Sequence, residues 1–374
     1  MVLRSTALGA CAIGLLVSVG CGSEAPGFET DGVEENEAPG GGNPGAGSSG
    51  ATPGSSTPLP ACVARPACDG TTAPPTGAAR GFAHTMSQVT TTLGSANHRG
   101  RDQIVVAGDA QWIIGKFAYG VNDKDIHDED VDIFVERGCA GSWEKLGTVK
   151  TTNDGQHASV LGVDDDGGRI FFEIPKAKEL PLGRHRVRLF VAGDASTTDL
   201  IIEVVAKGTT LVVTDVDGTL TSSENAEYGA LLTGSQPDVH VDAPKVLHAL
   251  AGKGYVPVYV TARPEWLTGR TRELVTHHEL PHGIVHPTAG LTGATGAAAT
   301  TYKSATLERL VTHGLHIGWA FGNTDTDAAA YQNAKILPLT QRVFYQHTDA
   351  NGGRRIESYT QVLPDVLAAP KVCE

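Results

Sequence analysis

The chain has 374 residues, 40% of them hydrophobic and 19% charged, with a formal net charge of -13 at pH 7. That apolar content can fill two packed cores, which excludes a wholly disordered chain. The acidic balance excludes a nucleic-acid partner and loose adsorption to an anionic membrane, so any phosphate group must be held by local cations.

Residues 1–20, MVLRSTALGACAIGLLVSVG, carry one charge, Arg4, and an apolar run that ends in small residues. The run is too short for a membrane span and reads as a signal peptide. Together with Cys21 it resembles a bacterial lipoprotein signal. That resemblance implies a lipidated Cys21 and an exported, membrane-anchored protein of the cell envelope, with plain secretion as the alternative. Residues 21–80 are rich in Gly, Pro and Ser, cannot bury enough apolar area to fold, and are expected to form a disordered tether. In an oxidising space Cys62, Cys68, Cys139 and Cys373 permit three pairings, of which Cys62 with Cys68 and Cys139 with Cys373 is the simplest. No CxxC and no nearby histidine pair has the spacing of a zinc site among these cysteines.

From 95 to 207 short apolar runs such as EDVDIFVE, HRVRLFVAGD and TDLIIEVVAKG are separated by turn-rich TTNDGQ and VDDDGGR. Short strands at this spacing, with no helical period between them, predict an antiparallel β-sandwich of immunoglobulin-like type. The acidic stretch 121–132, VNDKDIHDEDVD, invites a calcium reading. It lacks the glycine and terminal glutamate of an EF-hand loop at the required offsets, so a solvated loop is expected.

From 208 to 370 the period alternates. Strands are predicted at 211–215, 255–261, 283–286, 316–322 and 342–347, and helices at 242–254, 264–279, 302–314 and 325–335. TAGLTGATGAAAT, 288–300, reads as a loop. Alternating strands and helices predict a Rossmann-like parallel sheet covered on both faces, with its site at the carboxyl ends of the strands. Asp215, Thr261 and Asn323 all fall there.

The stretch LVVTDVDGTLT delivers two acids to a turn at the end of an apolar strand. Carboxylates avoid such a place unless a cation meets them. Phosphoryl transfer supplies a reason, because it needs a carboxylate nucleophile and a metal ion to screen its repulsion from phosphate. Asp215 suits the nucleophile. Asp217, two residues on, suits the acid that protonates the leaving alkoxide and then activates water. Gly218 and Thr219 allow a sharp turn and offer N–H groups to phosphate.

DVDGT followed by Thr261 in VYVTARP, Lys303 in TTYKSATLERL and the acidic AFGNTDTDAAAY resembles, in order, the motifs of haloacid-dehalogenase (HAD) phosphatases. The set TDVDGTLT, GYVPVYVTARP, LPHGIV and AFGNTDTDAAAY resembles more narrowly the lipin-type phosphatidate phosphatase domain. It resembles equally the related domain of retinal-degeneration-B phosphatidylinositol-transfer proteins. Lipin resemblance implies a Mg2+-dependent phosphatase acting through an aspartyl-phosphate on phosphatidate or another lipid phosphate. Asp215 and Asp217 would be catalytic; Gly218, Thr219, Thr261 and Lys303 would bind phosphate; Asp215, Asp217, Asn323 and Asp327 would hold the metal. Transfer-protein resemblance implies a module that binds phosphatidate without hydrolysing it, and a surface phosphatase for soluble phosphates is a third reading. Too few residues separate Thr219 from the helix near Asp242 for a folded cap domain, so a minimal cap and an open site are expected. Arg263 reads either as a headgroup contact or as a surface partner of Glu265.

Overall fold

The computed structural model describes residue 62 and residues 64–222, 235–348 and 351–373. The signal-peptide reading, Cys21 and most of the expected tether lie outside them. Residues 57–374 cluster as one compact unit.

Its first part holds helix α1 (Thr85–Thr90) and strands β1 (Arg99–Gly100), β2 (Gln103–Val106), β3 (Trp112–Lys116), β4 (Ala118–Tyr119), β5 (Lys124–Asp125), β6 (Asp130–Glu136), β7 (Trp143–Lys150), β8 (Arg169–Glu173), β9 (Gly183–Val191) and β10 (Thr197–Val205). A three-stranded sheet, β1-β3-β8, faces a five-stranded sheet, β2-β10-β9-β6-β7. Alternation decides which residues meet. On β6, Val131, Ile133 and Val135 enter the shared core with Ile113, Ile170 and Leu189, while the intervening Asp132 points outward. The purely antiparallel expectation is corrected at one edge, where β2 pairs parallel with β10.

The outward face of the five-stranded sheet is covered by chain that the composition assigned to the tether. Arg80 reaches Asp132 at 2.7 Å, the Arg186 guanidinium donates to the carbonyl of Gly70 and the Trp143 indole to that of Thr72. Residues 64–80 therefore lie against the sandwich, because its charged outer face offers them partners that a free tether would lack. The cysteine pairing is corrected too. Cys62 bonds Cys373 and Cys68 bonds Cys139, with Cα atoms 5.3 and 5.0 Å apart. Cys62 and Cys68 meet different neighbours, so the nearest pair in sequence is not the pair in space.

The second part alternates as the periodicity predicts: β11 (Thr210–Thr214), α2 (Ala243–Ala251), β12 (Val256–Val260), α3 (Thr268–His277), β13 (Ile284–His286), α4 (Gly296–Thr312), β14 (His316–Gly322), α5 (Asp325–Asn333), β15 (Arg342–Tyr345), β16 (Arg354–Ile356) and α6 (Leu363–Ala368). All six strands are parallel, in the order β13-β12-β11-β14-β15-β16. Val212 packs with α2, α3 and α6 on one face, and Leu211 and Val213 with α4 and α5 on the other. Burial on both faces is why β11 reads as an unbroken apolar run. Two differences stand out. Helix α4 starts at Gly296, inside the stretch expected as a loop, and its Gly and Ala residues hid it from the apolar period. Strand β16 and helix α6 have too little apolar alternation to announce themselves.

The two parts share a charged seam. Arg99 and Arg169, from the three-stranded sheet, both reach Glu265 just after β12, at 2.9 and 2.8 Å. Asp102 accepts from Arg272 of α3 at 2.6 Å and from the backbone N–H groups of Ile201 and Val285.

Candidate functional site

Strand order reverses across β11, with β12 on one side and β14 on the other, so the carboxyl ends of these three strands open a crevice. Asp215, Thr261 and Asn323 each follow directly on one of them. The backbone N–H of Asp215 donates to Phe321 O at 2.9 Å, which registers the first acid against β14. Gly218 then takes φ +70°, the left-handed conformation that turns the chain back. Its N–H is spent on Thr221 Oγ1 at 3.0 Å and its carbonyl accepts from His240. Gly218 thus shapes the turn here rather than offering its N–H outward.

Asp215 is 4% exposed. Its Oδ1 accepts from Lys303 Nζ at 2.8 Å, and its Oδ2 lies 3.2 Å from Thr219 Oγ1. The Thr219 hydroxyl also stands 2.6 Å from Asn323 Oδ1. Lys303, in the buried middle of α4, bridges to Asp327 Oδ1 at 2.7 Å. Burial pushes the Asp215 carboxyl up to about 7; Lys303 opposes this, while Asp327 and Asp217 add to it. Burial works to lower the Lys303 ammonium, but the two carboxylates outweigh it and raise it. The site keeps three acids near one shared lysine.

Asp327 is fully buried. Its Oδ2 accepts from the N–H groups of Asn323 and Thr324 and from the Thr324 hydroxyl, forming a capping box at the start of α5. With Oδ1 on Lys303, both oxygens are committed. Asp327 therefore stands behind Lys303 as its support, with neither oxygen free for the metal that the lipin resemblance implies it would hold.

Asp217 is held differently. Arg263 Nε and Nη2 reach its two oxygens at 2.8 and 2.7 Å, a bidentate fork. Thr261 Oγ1 is 3.4 Å from Asp217 and accepts from the Arg263 N–H at 3.2 Å. Arg263 is thus neither a surface residue nor a partner of Glu265, whose carboxylate is taken by Arg99 and Arg169. Adjacent charges in TARPE carry no signal that would have separated these fates. Two buried tyrosines were also beyond sequence reasoning: Tyr359 donates to Thr219 O at 2.8 Å and Tyr331 to Phe321 O at 2.5 Å, bracing the acidic turn from below.

Residues 212–345 match the family model described as the LNS2 domain of PITM 1-3, and residues 96–204 match that of the PITM 1-3 beta-sandwich domain. Protein retinal degeneration B of Drosophila melanogaster is 32% identical over 278 residues, 74% of this chain and 20% of that protein. Membrane-associated phosphatidylinositol transfer protein 1 of Homo sapiens is 32% identical over 200 residues, 53% of this chain and 14% of that protein. Membrane-associated phosphatidylinositol transfer protein 2 of Homo sapiens is 28% identical over 278 residues, 74% of this chain and 18% of that protein. This chain therefore spans a fifth or less of the length of these relatives. Two of the three are named as membrane-associated phosphatidylinositol transfer proteins and none as an exported lipoprotein. They overturn the signal-peptide, lipidated-Cys21 and cell-envelope expectations, along with the secreted alternative. In order along the chain, the sandwich and the parallel-sheet part are similar to the β-sandwich and LNS2 domains of phosphatidylinositol transfer proteins of the retinal-degeneration-B kind.

Proposed function

We propose that the crevice at the end of β11 binds the phosphate of a phospholipid, phosphatidate by preference, and hydrolyses it as a HAD-type, lipin-like phosphatase. The observation that carries this reading is the meeting of Asp215, Lys303, Thr219, Asn323, Thr261 and Asp217 at one strand edge, from four separate segments. The carboxylate of Asp215 attacks phosphorus, the P–O bond to the lipid breaks, and Asp217 protonates the departing alkoxide. Asp217 then takes a proton from the water that releases phosphate from Asp215. Lys303 offsets the charge of nucleophile and phosphate, and the Thr261 hydroxyl lies beside Asp217, where it can donate to a phosphate oxygen.

Apart from the Lys303 ammonium, the polar side-chain atoms beside Asp215 are oxygens, which suits Mg2+. Asp215 Oδ2 and Asn323 Oδ1, both near the Thr219 hydroxyl, are the pair able to hold it. Asp217 could join if Arg263 let go, whereas Asp327 has no oxygen to spare. Bound there, Mg2+ would screen the approach of carboxylate to phosphate.

The fork of Arg263 on Asp217 favours a second reading, a module that binds phosphatidate without turnover. Both oxygens of the acid are occupied in this state, and two of the relatives are named for phosphatidylinositol transfer rather than hydrolysis. Phosphate release from phosphatidate in mixed micelles, with Mg2+ or EDTA, separates the two when paired with liposome binding. Mg2+-dependent release supports the phosphatase; binding without release supports the module. Equal release from water-soluble esters, indifferent to lipid presentation, contradicts lipid as substrate.

A further inference from the structure

The acidic stretch 121–132 does more than face solvent. Ligand atoms of Asp125, His127 and Asp154 lie within 4.8 Å of one another. Asp125 ends β5, His127 follows two residues later, and Asp154 sits in the turn after β7.

Two observations on the cluster's own atoms point to a cation. Oδ1 of Asp125 is shielded from solvent and has no hydrogen-bond partner, while its Oδ2 accepts from Lys116 Nζ at 3.0 Å. An acceptor-only oxygen shielded from solvent without a donor is costly, and a cation removes the cost. Nδ1 of His127 lies 2.9 Å from the carbonyl oxygen of Thr152. A carbonyl only accepts, so Nδ1 carries a proton, and the neutral ring in that tautomer presents its lone pair at Nε2. That backbone anchor is how a metal-binding imidazole is held in the right tautomer.

The backbone also makes room. A Cβ on Gly167 would stand 2.1 Å from Asp154 Oδ1 and 3.0 Å from His127 Cε1, so only glycine lets these two side chains sit where they do. The turn that carries Asp154 is fixed by the Gly155 N–H donating to Asp165 O at 2.9 Å.

We propose that Asp125, His127 and Asp154 form a zinc-class divalent metal site that clamps the β5 turn to the turn after β7. One imidazole nitrogen and two carboxylates suit Zn2+, with a fourth position for water. Calcium and magnesium, which take oxygen ligands, are disfavoured by the imidazole. The site is separate from the acids of the β11 crevice and does not depend on what they do.

The test strips the full chain with EDTA and titrates Zn2+ against a chromophoric chelator for the parent, His127→Ala and the exposed Asp154→Asn. Each variant should bind zinc at least about tenfold more weakly. Zinc should raise the melting temperature of the parent and leave both variants unmoved, while all three melt together in EDTA, which checks that the variants fold. Glu308→Gln, which changes an exposed acid of α4 outside the cluster and outside the crevice, should bind zinc as the parent does. Zinc binding equal in all proteins, absent from the parent, or lost in Glu308→Gln alone would overturn the proposal.

Discussion

Asp132 in the sandwich and Asp215 in the parallel-sheet part are buried almost equally, at 1% and 4% exposure, yet their carboxyls move in opposite directions. Burial works to raise both. At Asp132, hydrogen bonds from Arg80, Lys145 and Thr148 outweigh it and hold the carboxyl down at about 2. At Asp215, the one lysine is shared with Asp327, Asp217 stands nearby, and the carboxyl is pushed up to about 7. Burial does not decide the outcome; the balance of donors against other acids does. Where the fold only needs to hold together, the acid is saturated with donors. Crowded acids that raise one another mark a place built to receive charge from outside.

The largest expected effect is on chemistry. Asp215→Asn should lower Mg2+-dependent phosphate release by at least about a thousandfold, while leaving thermal stability unchanged or raised, because it relieves the crowding. A variant that loses activity only by melting would break the comparison. Lys303→Met should be the most damaging to the fold, by about 3–5 kcal/mol in denaturant titration, since two buried carboxylates lose their shared cation. In the sandwich the contrast reverses: Asp132→Asn should destabilise by about 1–2 kcal/mol, the half-exposed Arg80 and Lys145 being screened by solvent. The sign follows from the depressed carboxyl. Its stabilisation is complete above about pH 4, is lost as pH falls through about 2, and should vanish from the acid limb of the variant. Smallest is Glu265→Gln at the seam, about 1 kcal/mol, because Arg99 keeps Asp123 and Arg169 keeps Asp166.

Most of what positions the site could be read from the chain. The strand of residues 210–214 is apolar on both faces, so it announced a buried parallel strand, and the acids at its end stood out against that run. Lys303 stands out in the sequence only through the resemblance of TTYKSATLERL to a family motif, and in the structure it bridges Asp215 and Asp327. Arg263 and Glu265 were not separable, because which buried partner a charge finds is set by the seam between two sheets that no local pattern encodes. Residues 64–80 depart from what their composition predicts for a related reason. Their composition forbids a core of their own, yet they need none when an outer sheet face already carries Asp132, Trp143 and Arg186.

The most direct test of the account is covalent trapping. The full chain is mixed with phosphatidate labelled in its phosphate, with Mg2+, and quenched in acid within milliseconds. Label should be bound to protein, released by hydroxylamine, mapped to Asp215 and absent from Asp215→Asn. Lipid that is hydrolysed with no label on the protein, or label that persists in Asp215→Asn, would contradict it.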